Sequence, residues 1–179
     1  MKKNTLLMLT LITIFAFQAC KKADEITITD DNLTTCPVSF SCEYKFSDNS
    51  SVDSSFKLQA AKNRVFVSQA KQVSPPYQMN SLFFIAPQDD KNFILNASDI
   101  ANGKVKYIFG CPSCCFPINL IPTGGFVKGL NLTPAKIKTQ SKWLIEAQII
   151  LSANNQQNKL VPCDTLFIKQ YFYPSFVSN

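Results

Sequence analysis

The chain has 179 residues, is 46% hydrophobic with fifteen Phe and only five Gly, and carries a formal net charge of +6 from 18 Lys and Arg against 12 Asp and Glu. It contains no histidine, which excludes Ser-His-Asp and Cys-His nucleophilic centres, imidazole general bases and His-built metal sites. The lysines are scattered singly, with no basic run of five or more, which argues against a nucleic-acid partner.

Lys2 and Lys3 open the chain, and residues 5–17 form a mostly apolar run. That run is shorter than the roughly 20 residues a helix needs to span a bilayer. It ends at Phe17-Gln18-Ala19-Cys20, after which Lys21-Lys22-Ala23-Asp24-Glu25 is polar. These residues resemble the lipobox signal peptide of bacterial lipoproteins, with Phe17 where leucine is usual and Gln18 where a small residue is usual. The resemblance implies removal of residues 1–19 and acylation of Cys20 (a diacylglycerol and an amide-linked acyl chain, hence palmitate-type lipid). Each buried methylene contributes about 0.8 kcal/mol, so two or more chains anchor stably. The implied mature chain has 179 − 19 = 160 residues and a net charge of 16 − 12 = +4. Lys22-Ala23-Asp24-Glu25 is similar to short signals that direct some Gram-negative lipoproteins to the outer face of the outer membrane. The implied location is the outer membrane, periplasmic or surface-facing, with the membrane itself as one partner through the lipid anchor.

Residues 20–35 read as the acylated cysteine and a flexible tether, with Ile26-Thr27-Ile28 as a candidate edge strand. Fully extended, such a tether reaches roughly 50 Å. Residues 36–179 read as one domain, long enough to bury a real core. From Cys36 onward Val38, Phe40, Cys42, Tyr44 and Phe46 alternate with polar residues, which predicts a half-buried antiparallel strand. Further strands are expected around Phe56 to Ala60, Val65 to Val67, Leu82 to Ile85 and Phe93 to Leu95. A helical turn with Ser98 as its N-cap follows, then a turn at Asn102-Gly103, then a strand through Val105, Tyr107 and Phe109.

Pro122-Thr123-Gly124-Gly125-Phe126 is not followed by Gly-Lys-Ser/Thr and so is no phosphate loop. It reads as a tight turn between strands at residues 118–121 and 126–132. Trp143, Ile145, Ala147, Ile149 and Leu151 share one face of a long strand. After the polar loop 154–158 the chain returns through residues 166–173, closing a terminal hairpin. No stretch past Cys20 keeps a helical period. About eight or nine short strands with regular turns predict an all-β fold: an antiparallel β-sandwich, Ig-like or similar, with an open β-barrel as the second choice.

Besides Cys20 there are six cysteines: Cys36, Cys42, Cys111, Cys114, Cys115 and Cys163. An even number in an exported domain reads as disulfides, with fifteen possible pairings. If Cys36 and Cys42 lie on one continuous strand, their Cα atoms are about 20 Å apart, too far for a bridge that needs under about 7 Å. They are therefore expected not to pair with each other unless Pro37 breaks the strand. Cys111-Pro112-Ser113-Cys114-Cys115 is the sharpest local motif. Its Cys-x-x-Cys spacing suits a thioredoxin-like redox pair or half of a thiolate metal site built from Cys36, Cys42, Cys111 and Cys114 or Cys115. Pro117 and Pro122 and the lack of a surrounding βαβ pattern favour a disulfide-pinned loop instead.

Most carboxylates (Asp30, Asp31, Asp48, Asp53, Asp89, Asp90) fall in the tether or at turns, and Glu43 and Glu146 sit on the wet parity of their strands. Trp143, Phe126, Tyr171 and Tyr173 offer an aromatic surface for a glycan or peptide, though strand aromatics belong more often to the core. Asp164-Thr165-Leu166 resembles a short bacterial O-glycosylation signal. The functional expectation is a membrane-anchored envelope lipoprotein without cofactor or catalytic residues, a binding or assembly module for an envelope protein or glycan. The rival is an envelope thiol–disulfide or thiolate-metal protein acting through Cys111 and Cys114.

Overall fold

The computed structural model describes residues 26–89, 91–111 and 119–175. Among them are ten strands: β1 (Phe40–Ser47), β2 (Ser50–Val52), β3 (Leu58–Ala60), β4 (Asn63–Gln72), β5 (Met79–Pro87), β6 (Asn92–Leu95), β7 (Val105–Gly110), β8 (Ile121–Asn131), β9 (Trp143–Asn154) and β10 (Leu160–Pro174). One helical turn, α1 (Ala97–Asp99), and short π and 3-10 turns at Ile100–Lys104 and Lys138–Gln140 complete the set. The fold is all-β, as the alternation predicts. The cap of α1 is Asn96, whose side chain accepts from the Asp99 amide, and not Ser98.

Eight strands form one sheet in the order β6-β8-β9-β10-β1-β4-β5-β7, and β2 and β3 form a separate ribbon. The large sheet curls into a half-barrel, so its two halves face one another across the core. Packing shows the curl directly. Phe93 on edge strand β6 stacks on Phe66 of β4 with ring centroids 5.2 Å apart, although five strand spacings separate them in a flat sheet, about 24 Å. Two bulges flank β9 at the level of Leu151, one leaving out Thr123 of β8 and the other Cys163 of β10; such extra residues bend and twist a sheet locally.

Register puts the inward side chains of β1, β4, β5 and β7 into three rows. Phe46, Phe66, Phe84 and Val105 make the first, and all four are buried. Tyr44, Ser68, Leu82 and Tyr107 make the second. Cys42, Ala70, Asn80 and Phe109 make the third. The first row meets Trp143 and Phe172, both fully buried, and Arg64 caps that end. Its guanidinium lies 4.6 Å from the Trp143 ring centroid and donates to Asp48 Oδ1 at 2.5 Å and to the Asp89 carbonyl at 2.6 Å. The half-barrel therefore has a closed end at Arg64 and an open end at the third row.

The terminal hairpin forms as expected, with β9 and β10 antiparallel around residues 155–159 and the alternate residues Trp143 to Leu151 buried. On the convex face Val52, Val65, Phe83 and Ile85 form a second cluster with Phe56 under the β2–β3 ribbon. Lys106 Nζ ties that ribbon down by donating to the Val52 and Asp53 carbonyls at 2.7 and 3.0 Å.

Three expectations need correction. Residues 122–126 are not a turn but the first half of β8, where Gly125 has φ +107° and a Cβ would lie 1.8 Å from the Gln148 carbonyl oxygen. The sheet is not wholly antiparallel: β1 and β10 run parallel, paired at only Lys45–Tyr173 and Phe46–Pro174. The segment expected to be a tether is docked over its second half. Thr34 N donates to the Lys169 carbonyl at 2.8 Å, Lys169 N donates to Thr34 Oγ1 at 2.8 Å, and Ile28 is buried.

Candidate functional site

The site begins at the seam between β1 and β10. Two parallel pairs hold the strands together near the closed end, and beyond them the strands splay toward the open end. The exposed edge of β10 is met by residues 29–34, which act as a strap. Besides the Thr34 bonds, Gln170 Nε2 donates to the Thr34 carbonyl at 3.1 Å, Lys169 Nζ donates to Asp31 Oδ1 at 3.0 Å, and Tyr171 OH donates to Asp30 Oδ2 at 3.0 Å. Backbone polar groups at an open edge need partners, and the strap supplies them here.

The strap leads into the disulfide. Cys36 and Cys42 are bonded, with Cα atoms 5.8 Å apart, which overturns the expectation that they stay apart. Pro37 does break the strand: Ser39 takes φ 84°, the Phe40 amide bonds back to the Pro37 carbonyl at 3.0 Å, and β1 starts only at Phe40. Val38 is thereby 93% exposed where alternation placed it inside.

Within the wedge lies a cavity of about 200 Å³. Leu166 to Ile168 of β10 form one wall, Thr34, Thr35 and Pro37 at and just after the strap's end another, and the second and third rows the floor. It exists because β4 carries small residues inward at Ser68 and Ala70, where its first-row residue is Phe66. No charged side chain lines it. Its polar side chains are Thr34, Thr35, Tyr44, Ser68, Asn80 and Tyr107; the Tyr44 and Ser68 hydroxyls have no hydrogen-bond partner among the described residues, and Asn80 Oδ1 accepts from Tyr107 OH at 3.2 Å. Burial raises the Tyr44 hydroxyl above its ordinary value of 10.0. It does the same to Tyr107, with the Asp164 carboxylate adding to the effect. Both tyrosines are therefore neutral donors at neutral pH.

The open end is also where the loops and cysteines gather. Residues 36–39, the β4–β5 turn at 73–78, residues 111 and 119–120, and the β9–β10 turn at 155–159 all lie there, and among these described residues the only charge is Lys159. Val73 and Tyr77 are exposed on the same rim. Cys111 is in a disulfide, whose partner lies outside the described residues, as do Cys20, Cys114 and Cys115. Cys163 is a free, exposed thiol in the β10 bulge, donating weakly to the Leu151 carbonyl at 3.5 Å.

The remaining sequence candidates do not converge. Trp143 is fully buried, whereas Tyr173 is half exposed and Tyr171 lies on the convex face under Lys142. Glu43 pairs with Lys45 and Glu146 with Lys128 at 2.7 and 3.8 Å, both on wet faces. Cys36, Cys42 and Cys111, being in disulfides, have no thiolate to offer a metal, and among the described residues no three His, Cys, Asp or Glu come together. A second cavity of about 260 Å³ lies between the Asp53–Phe56 turn, β7 and the start of β8. No described helix is long and apolar enough to cross a membrane. Sequence reading found the cysteines of the open end but not Ser68, Asn80 or Tyr107, because nothing local marks a small inward residue as the floor of a cavity. Comparison with protein-family models finds no match, and searches of curated proteins and of solved structures return no match either.

Proposed function

We propose that this chain is an outer-membrane lipoprotein, acylated at Cys20, that works as a non-enzymatic binding module through the open end of its half-barrel. The observation that carries the reading is the concentration at one end of a cavity, the Cys36–Cys42 disulfide and loops with a single charge. A surface with so little charge and with exposed apolar groups suits an envelope protein or glycan better than a highly charged surface does. The strap supports an orientation. From Thr34 back to Asp30 it moves along β10 from Lys169 to Tyr171, toward the closed end, which favours an arrangement with the open end facing away from the bilayer.

Membrane fractionation tests the anchor: the natural chain is expected in the membrane fraction and Cys20→Ala in the soluble one, and membrane retention of the variant overturns the reading. A fluorophore on Cys163 tests the orientation, with Cys163→Ser as the labelling control. Little quenching by spin-labelled lipid is expected there and strong quenching at exposed Lys62→Cys in the Cys163→Ser background; the reverse order overturns it.

A second reading, a thiol–disulfide protein, draws on the Cys111 disulfide. It requires that the natural chain, its Cys111 disulfide first reduced by dithiothreitol and the excess removed, reduce a model disulfide substrate while its own disulfide re-forms, and that Cys111→Ser abolish the activity.

A further inference from the structure

The wedge cavity has the features of a small-molecule site: a concave opening with mostly apolar walls and a few converging polar groups. Its size limits the occupant. An apolar cavity of about 150 Å³ accepts a benzene ring, and this one measures about 200 Å³, enough for a ring bearing one polar substituent. Its chemistry limits the occupant further. Hydroxyls at Tyr44 and Ser68 each both donate and accept, and the Asn80 amide keeps its donor end while its oxygen is used by Tyr107. A ligand hydroxyl satisfies such a set. A carboxylate there meets no cation, since none lines the walls, and an unpaired buried charge is costly.

The geometry points to the wedge between β1 and β10 as a binding site for a neutral, ring-sized apolar alcohol, held by Tyr44, Ser68 and Asn80 and walled by Thr34, Thr35 and Pro37 at and just after the strap's end. The disulfide has a defined part in this: by joining Cys36 to Cys42 it fixes the strap across the mouth. This assignment rests on the open end being the binding end.

The test is calorimetric titration of 4-methylphenol into the full acylated chain in lipid nanodiscs, with empty nanodiscs as the blank. Saturable binding is expected. Tyr44→Phe, which removes only a hydroxyl, is expected to weaken it about fivefold, the value of one neutral hydrogen bond. Ser68→Leu, which fills the floor, is expected to abolish it. 4-Methylbenzoate and 4-methylbenzylamine are expected to bind at least about tenfold more weakly, for want of a counter-charge. No saturable binding to the natural chain, undiminished binding to Tyr44→Phe, or equal binding of either charged analogue overturns the assignment. Absence of phenol binding by a chain that still partitions with membranes removes the cavity ligand and leaves the anchored module standing. A natural chain found in the soluble fraction removes the anchored module whatever the titration shows.

Discussion

Gly129 lies in β8 directly opposite Phe93 of β6, and a Cβ there would fall 2.0 Å from the Phe93 ring. The ring therefore rests on bare backbone, and from that place it stacks on Phe66 and packs against Trp143. Gly129→Ala must push the ring off both. Overpacking of this kind costs about 1–3 kcal/mol, so the urea midpoint of Gly129→Ala is expected to fall by a matching amount. Gly110→Ala is the control, because its Cβ meets only Met79 at 3.8 Å and its midpoint is expected within about 0.5 kcal/mol of the natural chain. Equal midpoints for the two variants would place Phe93 elsewhere. Residue parity was legible in the chain, which is why the alternate residues from Trp143 to Leu151 were expected to share one face, and that face is buried. Residue size as a space-maker was not. Ser68 reads as an ordinary polar lapse in an apolar strand, and only its row partners Tyr44 and Leu82 make it the floor of a cavity.

At the scale of elements the strap is the informative piece. Its acidic residues suggested a solvated tether, because acidic and polar composition alone cannot tell a free segment from one whose charges meet a partner 138 residues away. Its docking has a definite pH signature. The Thr29 hydroxyl and then Lys169 hold the Asp31 carboxyl below its ordinary value of 3.8; a depressed folded-state value means this contribution is present above 3.8 and lost as pH falls below it. The bond to Asp30 raises the Tyr171 hydroxyl above 10.0; a raised value means that contribution is present below 10.0 and lost as pH climbs past it. The amide chemical shift of Thr34 is therefore expected to stay constant from pH 5 to pH 9 and to move toward an undocked value below about 3.8 and above about 10. A midpoint near neutrality would contradict this, since the chain holds no histidine. The Cys36–Cys42 bridge teaches the same lesson from the other side. Strand rise correctly forbids that bridge on a continuous strand, and the deciding fact was where the strand begins.

At the scale of the molecule β10 is the keystone of the hydrogen-bonded order. It alone joins β6-β8-β9 to β1-β4-β5-β7, and its Phe172, fully buried, touches the rings of Tyr44, Phe66 and Phe84 from the second half. Truncating a buried aromatic costs about 3–5 kcal/mol, a large share of the about 5–15 kcal/mol that holds a domain of this size. Phe172→Ala is expected to lose that much in one cooperative transition, with backbone circular dichroism and Trp143 fluorescence changing together. Two separate transitions would mean the halves fold independently and that β10 joins them only loosely.

What the sequence by itself determined is the all-β class, most of the strands, the buried face of the long strand from Trp143 to Leu151, the terminal hairpin, and the absence of imidazole chemistry. Each of these follows from residue identity or from a period of two along the chain, both local properties. The curl of the sheet, the parallel seam, the docked strap, the Cys36–Cys42 pairing and the cavity were decided by tertiary structure. The reason is the range of the interactions involved. The seam joins Lys45 to Tyr173 and Phe46 to Pro174, and no neighbouring side chain marks those residues as partners. Because only two pairs form there, β1 and β10 diverge, and an opening between strands is a property of their mutual angle that no single segment carries.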